Sequence, residues 1–309
     1  MADGEEIEAA DTWCCASCGI AENDDVKKLM PCDDCDLVRY CSDACRELHQ
    51  PEHAGKCRKR AAELRDKLLF KQPESTHWGD CPICMIPLPL DGSKSCMYTC
   101  CSKIICNGCE HANQIREYGM GHGQSCPFCR DALPLTDEER DKRTMKRAEA
   151  NDPNALRFEG GAQYEKGEYQ SAFEYFTKAA KLGNAQAHYR LSDMYYHGEG
   201  VEKDEGKGIL HLEEAAIGGH PEARYNLGGV AWNNGDKEKA VKHFIIAATL
   251  GYDLAIKQLM GKYREGHVSK DDLDVALRAH KAAVDATKSP QRKKAEEYYQ
   301  ILKEERGLR

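Results

Sequence analysis

The chain has 309 residues, which predicts two or three domains, and its formal net charge of −8 argues against a chain-wide electrostatic contact with nucleic acid. All 17 cysteines fall between Cys14 and Cys129. Residues 1–11 are acidic, so no secretory signal is expected, and no stretch is long and apolar enough for a membrane span. We therefore expect a cytoplasmic or nuclear protein whose cysteines stay reduced and bind zinc.

The first cysteine series contains four pairs of ligand-type residues at short spacing. A C-x2-C pair directs two sulfur atoms to one metal ion, and zinc takes four ligands in a tetrahedron. Four pairs therefore predict two zinc ions. The predicted ligands are Cys15, Cys18, Cys32, Cys35, Cys41, Cys45, His53 and Cys57. Cys14 is an alternative partner for Cys18, and His49 lies one helical turn before His53.

The order of these pairs, with Y-C-S-x2-C in the third and H-x3-C in the last, resembles the MYND zinc finger over residues 14–57. The resemblance implies that the pairs interleave. One zinc ion would be held by Cys15, Cys18, Cys41 and Cys45, and the other by Cys32, Cys35, His53 and Cys57. It also implies that the finger docks proline-rich peptides, as that family does.

Residues 58–80 are predicted to form a helical linker with a break at Gln72-Pro73. Its basic cluster at 58–60, and another at 142–147 in a second helical linker over 131–150, are candidates for nuclear import or nucleic-acid binding. Both clusters lie among Glu, Asp and Ala at helical spacing. This pattern favours solvated helix faces, so nucleic acid is not an expected partner.

A second series begins with C-P-I-C at Cys81 and ends with C-P-F-C-R, and its ligand order resembles a RING finger over residues 81–130. The resemblance implies a cross-brace of two zinc ions. One ion would be held by Cys81, Cys84, Cys106 and Cys109, and the other by Cys100, Cys101, Cys126 and Cys129. Lys103 departs from the pattern, because the common RING spacing has His there and an ammonium group cannot bind zinc. Cys96 is therefore an alternative to Cys100, and His111 and His122 are further candidates.

Three further residues resemble the positions by which RING ubiquitin ligases hold a conjugating enzyme and its charged ubiquitin. They are Ile83, Pro127 and Arg130. The resemblance implies that Ile83 offers an apolar contact, that Pro127 shapes the second loop and that the Arg130 guanidinium donates hydrogen bonds. Pro127 is also explained by turn chemistry and Arg130 by an ordinary surface charge.

From residue 151 the composition shifts to Ala, Gly, Tyr, Leu and charged residues, and a repeat emerges. Equivalent segments start at Ala155, Ala187, Ala223 and Ala255, with spacings of 32, 36 and 32 residues. The second helices align at positions 172, 208, 240 and 276, and glycines mark the turns. This register predicts four helix-turn-helix units: 151–184, 185–220, 221–252 and 253–289. The second unit resembles the SEL-one-like repeat, a relative of the tetratricopeptide repeat.

A repeat solenoid presents a long surface suited to a peptide or protein partner. Tyr164, Tyr196 and Trp232 share one register position and either line that surface or pack into the core. Leu191, Leu227 and Leu259 share a predicted core position. The first unit has Glu159 at this position, which predicts a terminal capping unit with a more solvent-exposed face. The histidines of this half, at 188, 211, 220 and 243, are scattered and are predicted to be ordinary surface or core residues.

Together these patterns predict a mainly α fold: two small zinc modules of short strands and helices, a repeat solenoid over 151–290 and a charged helix over 291–309. Four zinc ions per chain are expected. The leading hypothesis is a RING-type ubiquitin ligase or ligase subunit that recruits partner proteins through the solenoid and the first module. The alternatives are a non-enzymatic scaffold and a nuclear regulator that use all modules for protein binding only.

Overall fold

The computed structural model describes residues 14–20, 22, 28–121 and 123–305. Contacts divide the chain into two compact units, 1–71 and 72–309. The chain is mainly α-helical, with short strands confined to the cysteine-rich modules, which confirms the predicted fold class. Among the described residues, none of the helices combines the length and the apolar character of a membrane span.

The first unit is a small hairpin followed by one long helix. Strands β1 (Met30–Pro31) and β2 (Arg39–Tyr40) are antiparallel, and Tyr40 pairs with Met30. Helix α1 (Asp43–Leu69) begins at Ser42, whose hydroxyl accepts a hydrogen bond from the Cys45 N–H. The predicted boundary between the first module and the linker lies between residues 57 and 58, and α1 continues across it without interruption.

The buried core of the first unit consists mostly of cysteine side chains. Among the described residues, its buried members are Cys15, Leu29, Cys32, Cys35, Tyr40 and Cys57. So few apolar side chains cannot balance the conformational entropy lost on folding, and a module of this size needs further crosslinks.

The second unit begins with the other cysteine-rich module. A 3-10 turn (Gly92–Lys94) leads into strand β3 (Ser95–Tyr98), which pairs antiparallel with β4 (Lys103–Cys106). Helix α2 (Asn107–Gly119) follows β4 directly. The turn of the hairpin carries the adjacent pair Cys100-Cys101, and the other end of β4 carries Cys106. The hairpin register thus sets the distance between two ligand pairs.

The helical array consists of antiparallel helix pairs stacked in sequence. Its helices are α3 (Asp137–Glu149), α4 (Pro153–Glu165), α5 (Tyr169–Lys181), α6 (Ala185–His197), α7 (Glu205–Ile217), α8 (Pro221–Asn233), α9 (Lys237–Thr249), α10 (Asp253–Arg264) and α11 (Lys270–Ala286). The predicted register residues Ala155, Ala187, Ala223 and Ala255 are all fully buried. Small side chains at these crossings let the paired helices approach closely.

Glycines end the first helix of each pair. Gly167, Gly235 and Gly266 have φ of 81°, 84° and 79°, a left-handed conformation that glycine adopts without a Cβ clash. The turn of the second pair, between His197 and Glu205, is longer than those of the first and third pairs, and Gly200 lies there against the backbone of Tyr169. A Cβ at Gly200 would stand 2.3 Å from the Tyr169 carbonyl oxygen, so another residue would force the two turns apart.

The first repeat differs from the sequence prediction. Glu159 is only 7% exposed and does not line a wet face, because α3 packs against α4. Ala148 of α3 joins the core of the first repeats, so the helix predicted as a solvated linker covers the end of the array. Two residues of its basic cluster form local ion pairs: Arg147 with Asp152 at 2.6 Å, and Arg143 with Glu139.

The last helix, α12 (Pro290–Glu305), leaves the array and packs against α2 of the cysteine-rich module. The Tyr299 hydroxyl lies 3.2 Å from a Glu110 carboxylate oxygen, and Lys94 pairs with Glu296 at 2.7 Å. The ring of Tyr298 lies 4.5 Å from that of His111. The charged terminal segment is therefore an integral part of the second unit.

Candidate metal centres

The structure brings the sixteen predicted ligands together in four groups. Within each group, the one ligand atom from each residue lies within 4.8 Å of all the others. The groups are Cys15, Cys18, Cys41 and Cys45; Cys32, Cys35, His53 and Cys57; Cys81, Cys84, Cys106 and Cys109; and Cys100, Cys101, Cys126 and Cys129. In both modules the first pair groups with the third and the second with the fourth.

Four of the five C-x2-C pairs form loops that share one backbone conformation, and the fifth, Cys106 and Cys109, lies at the start of α2. The carbonyl of the first cysteine accepts a hydrogen bond from the N–H four residues later, as from Met85 to Cys81 at 2.8 Å and from Arg130 to Cys126 at 3.0 Å. The donor residue has a positive φ in each loop: Gly19, Asp36, Met85 and Arg130. This turn leaves N–H groups directed at the sulfur, as from Phe128 to Cys126 Sγ at 3.5 Å. Such loops are preorganised to hold a thiolate beside a cation.

Sulfur separations in the first module match a tetrahedral zinc site, for which Zn–S bonds of 2.3 Å place sulfurs about 3.8 Å apart. Cys18 and Cys41 lie 3.5 Å apart, and Cys41 and Cys45 lie 3.6 Å apart. In the other group, Cys32 and Cys57 lie 3.7 Å apart. The structure groups Cys15, and not Cys14, with Cys18.

His53 contributes the single imidazole, and its Nε2 lies 3.2 Å from Cys35 Sγ. Burial lowers the pKa of His53, so the ring is neutral near pH 7, which is the form that binds zinc. His49 has a different place. Its ring stacks on that of His53 at 5.7 Å, and its Nδ1 lies 3.1 Å from the Tyr40 hydroxyl. His49 therefore packs beside His53 and lies outside the ligand group.

Sulfur separations in the second module are similar. Cys84 and Cys106 lie 3.9 Å apart, Cys101 and Cys126 lie 3.8 Å apart, and Cys100 and Cys129 lie 3.3 Å apart. The donor set of four thiols fits zinc, a borderline-soft cation that favours sulfur ligands. The Lys103 ammonium lies 4.2 Å from the centre of the Phe128 ring in a cation–π contact.

The alternative ligands of this module lie elsewhere. Cys96, on β3, is not in a ligand group; burial and the adjacent Glu110 carboxylate raise the pKa of its thiol and keep it protonated. His111 contacts the tyrosines of α12. His122 lies outside the described residues. The structure therefore groups Cys100, and neither Cys96 nor His111, with Cys101, Cys126 and Cys129.

The three residues predicted to contact a conjugating enzyme lie on the two C-x2-C loops of the second module. Ile83 is 43% exposed, and Met85, which sequence analysis did not single out, is 70% exposed on the same loop. Arg130 is exposed and Pro127 is half-buried on the other loop. Arg292 was also missed; it comes from α12 and contacts Cys84, and no spacing in the sequence connects the two.

The solenoid aromatics at the shared register position differ in environment. Tyr164 and Trp232 pack against the buried cores of their repeats, whereas Tyr196 is 56% exposed. The histidines are not scattered as predicted. His188 and His211 meet with their Nδ1 atoms 3.0 Å apart, and His220 lies under the ring of His77. These contacts depend on the packing of separate helices and loops.

Family comparisons agree with two parts of this architecture. Residues 15–57 match the family model of the MYND finger. Three consecutive segments, 155–184, 185–220 and 221–252, match that of the Sel1 repeat. The chain contains a MYND finger and Sel1 repeats. The MYND finger is therefore the module of β1, β2 and α1, and the Sel1 repeats are the helix pairs from α4 to α9. These matched segments do not include the second cysteine series.

Among curated proteins, the chain is similar to chitin synthase regulatory factor 4 of Schizosaccharomyces pombe, with 30% identity over 106 residues. The similarity covers 32% of this chain and 17% of that relative, so the chain spans less than a fifth of the relative's length. Among solved structures, the Sel1 repeat protein from Oxalobacter formigenes is 27% identical, with a TM-score of 0.43 over 57% of this chain and 71% of that one. The antigen c5321 of uropathogenic Escherichia coli is 23% identical, with a TM-score of 0.39 over 53% and 37%.

Proposed function

We propose that this chain is a zinc-binding interaction adaptor that acts as a RING-type ubiquitin ligase or as a subunit of one. The observation that carries the proposal is the interleaved grouping of eight cysteines between Cys81 and Cys129, with Ile83 and Met85 exposed on the first loop. The MYND finger and the Sel1 repeats recruit partner proteins or substrates. The chain acts in the cytoplasm or the nucleus.

In this proposal each of the four ligand groups holds one zinc ion, so the folded chain carries four. Bound zinc supplies the crosslinks that the small cores of the two modules lack. The protein holds the thiolates in place through the C-x2-C turns and through the hairpin of β3 and β4. Metal analysis of the purified chain is expected to give four zinc ions, and two or fewer would contradict the assignment of at least one module.

The second module has no nucleophile in the proposed reaction. It binds a conjugating enzyme and holds the ubiquitin thioester in a reactive conformation, which is catalysis by positioning. Ile83 and Met85 provide the apolar contact, and Pro127 shapes the second loop. The exposed Arg130 guanidinium donates hydrogen bonds across the junction of enzyme and ubiquitin.

Autoubiquitination with a panel of conjugating enzymes tests the ligase activity, and Arg130→Asn is the informative variant. Arg130 has φ of 65°, and asparagine tolerates this left-handed conformation better than alanine, so the loop is expected to keep its fold. Asp36→Asn in the MYND finger is the matched control, because Asp36 occupies the same backbone position of another C-x2-C loop at φ of 55°.

The proposal would be supported if Arg130→Asn no longer formed ubiquitin chains while Asp36→Asn remained active. Both variants would have to retain four zinc ions. An Ile83→Ala variant is expected to lose the same activity because it removes the apolar contact. Absence of activity of the zinc-loaded wild type with every enzyme of the panel would contradict the ligase proposal.

The second candidate function is a non-enzymatic scaffold, and one observation favours it. Lys103 occupies the position of a common RING ligand, so the second module departs from the ligase pattern. A scaffold would keep four zinc ions and partner binding but would be inactive with all conjugating enzymes. A nuclear form of the scaffold, with proline-rich peptides docked on the MYND finger, also requires that the tagged chain enter the nucleus. Uniform nuclear exclusion would contradict that form.

A further inference from the structure

Arg292 is a charged residue that the C-terminal helix buries against the second module. Its side chain lies near the start of α12 and is only 7% exposed. Burial of a guanidinium group is unfavourable unless its N–H groups meet acceptors. The position therefore indicates a site with strong acceptors.

Most of the acceptors belong to the first C-x2-C loop of the module and the residues that follow it. Nη1 donates to the carbonyl oxygen of Pro87 at 2.7 Å and to that of Thr287 at 2.7 Å. Nη2 donates to the carbonyl oxygen of Ile86 at 3.0 Å and lies 3.6 Å from Cys84 Sγ. Three of these four acceptors belong to the segment that carries Cys84.

The other side of Arg292 lies against the segment between Cys106 and Cys109. A Cβ added to Gly108 would stand 2.9 Å from Arg292 Cγ and 3.0 Å from its Cα, so a larger residue would push α12 away. The neighbouring Gln291 donates from Nε2 to the Gly108 carbonyl oxygen at 3.0 Å. Arg292 thus lies between the two segments that supply the ligand group of Cys81, Cys84, Cys106 and Cys109.

The charge of this ligand group explains why a guanidinium is suited to the position. Four thiolates around a divalent cation leave a net charge of −2 in a largely buried place. A cationic N–H donor beside the sulfur offsets part of that charge, and hydrogen bonds from outside the ligand shell orient metal ligands. The planar guanidinium of arginine can donate hydrogen bonds to sulfur and to carbonyl oxygens at the same time, whereas lysine has a single compact ammonium group.

We propose that Arg292 is a positioning residue of the zinc site formed by Cys81, Cys84, Cys106 and Cys109, and that α12 is thereby part of that site. This inference rests on the proposed zinc loading of the second module. It extends the site to a residue 208 positions away from Cys84 in the chain.

Chelator competition on the full-length, zinc-loaded chain tests the inference. Arg292→Met is expected to lower the zinc affinity of one of the four sites by about 10-fold to 100-fold and to leave the affinity of the other three unchanged. Gln291→Met is the matched control, because it removes a neighbouring hydrogen bond to the same module without touching the sulfur. Arg292→Lys is expected to lie between the wild type and Arg292→Met, because it keeps the charge.

Cobalt substitution adds a readout that a loss of helix packing alone would not change. The sulfur-to-cobalt charge-transfer band of one site in four is expected to shift in both Arg292 variants and to stay in place in Gln291→Met. If Arg292→Met does not fold, Arg292→Lys is compared with the wild type and with Gln291→Met in the same way.

The outcomes separate the inference from the proposal on which it depends. A wild-type chain that binds no zinc in the second module would contradict the proposed loading. A wild-type chain with four zinc ions, and Arg292 variants with the metal release and cobalt spectrum of Gln291→Met, would overturn the role of Arg292 alone.

Discussion

His77 stacks on His220, with ring centroids 4.1 Å apart and ring planes inclined by 18°. Both rings contact one acceptor, the Gln186 amide oxygen, from Nε2 at 3.1 and 3.0 Å. The Nδ1 of His220 accepts the Ala223 N–H at the start of α8, so this ring is neutral with its proton on Nε2. The stack fastens the segment that enters the second zinc module to the turn between α7 and α8.

The His77 stack predicts that acid destabilises the second unit. Burial and, to a smaller extent, the nearby Arg157 guanidinium lower the pKa of His77 to about 4, although the hydrogen bond to Gln186 acts in the opposite direction. An unfolded chain has a histidine pKa of about 6.5, so it binds more protons than the folded chain between pH 6.5 and 4. The free energy of unfolding is expected to fall through that window, by about 3 kcal/mol for His77 at pH 4.

Urea unfolding followed by helical circular dichroism at several pH values measures this effect. His77→Gln is the control, since it lacks the titrating ring while acid release of metal affects both chains. A smaller pH dependence is expected in the variant, and equal slopes in the two chains would contradict the assignment.

Gly228 and Gly229 are adjacent in α8, and opposite effects are expected when each is changed to alanine. A Cβ at Gly228 would lie 2.5 Å from the Phe244 ring, whereas a Cβ at Gly229 would meet nothing within 4 Å. Gly228→Ala is expected to lower the free energy of unfolding by about 1 to 3 kcal/mol through overpacking. Gly229→Ala is expected to raise it by up to about 1 kcal/mol, because alanine favours the helix. Thermal unfolding of both variants measures the signs, and a stabilised Gly228→Ala would contradict the packing.

The ligand grouping predicts that Cys100, and not Cys96, holds metal. Cys100→Ala is expected to lower the zinc content by one ion per chain, because its sulfur lies 3.3 Å from Cys129 Sγ within the ligand group. Cys96→Ala is expected to keep four ions and to lose only a buried side-chain contact on β3. Metal analysis after gel filtration distinguishes the two. Loss of zinc from Cys96→Ala alone would restore the alternative assignment.

Trp232 and Tyr196 share a repeat position, yet different costs are expected when each is truncated. Trp232 packs on its repeat core, and the ammonium groups of Lys237 and Lys262 lie 4.0 and 3.8 Å from the centre of its ring. Trp232→Ala is expected to lower the free energy of unfolding by about 3 kcal/mol, at the lower end for aromatic truncation. Tyr196→Ala is expected to change it by less than about 0.5 kcal/mol. Chemical denaturation measures both, and equal costs would contradict the assigned environments.

The regular parts of the fold follow from local sequence patterns. Leu191, Leu227 and Leu259 are buried as predicted, because the helical period and the repeat spacing together fix which face of each helix meets its neighbour. The ligand pairs are recognisable for a similar reason: two sulfurs separated by two residues can meet one metal within a single turn.

Other features could not be predicted because they join segments far apart in the chain. His77 contacts Gln186, which is 109 residues away, and neither residue carries a pattern that indicates the contact. Glu159 was predicted to face solvent since it replaces a leucine, but the packing of α3 on α4 covers it. The register of the hairpin, which pairs Tyr98 with Lys103, decides that Cys100 and Cys101 both reach the ligand group.

The attachment of α12 to α2 has a consequence for synthesis on the ribosome. Gln291 is made 183 residues after Gly108, which it contacts. At about 5 to 20 residues per second, roughly 10 to 40 s pass between the emergence of the cysteines and that of the helix that completes their surroundings. During this interval the surface of the nascent module that α12 later covers is exposed. Cellular thiol-protecting factors or early metal delivery would have their greatest influence in that period.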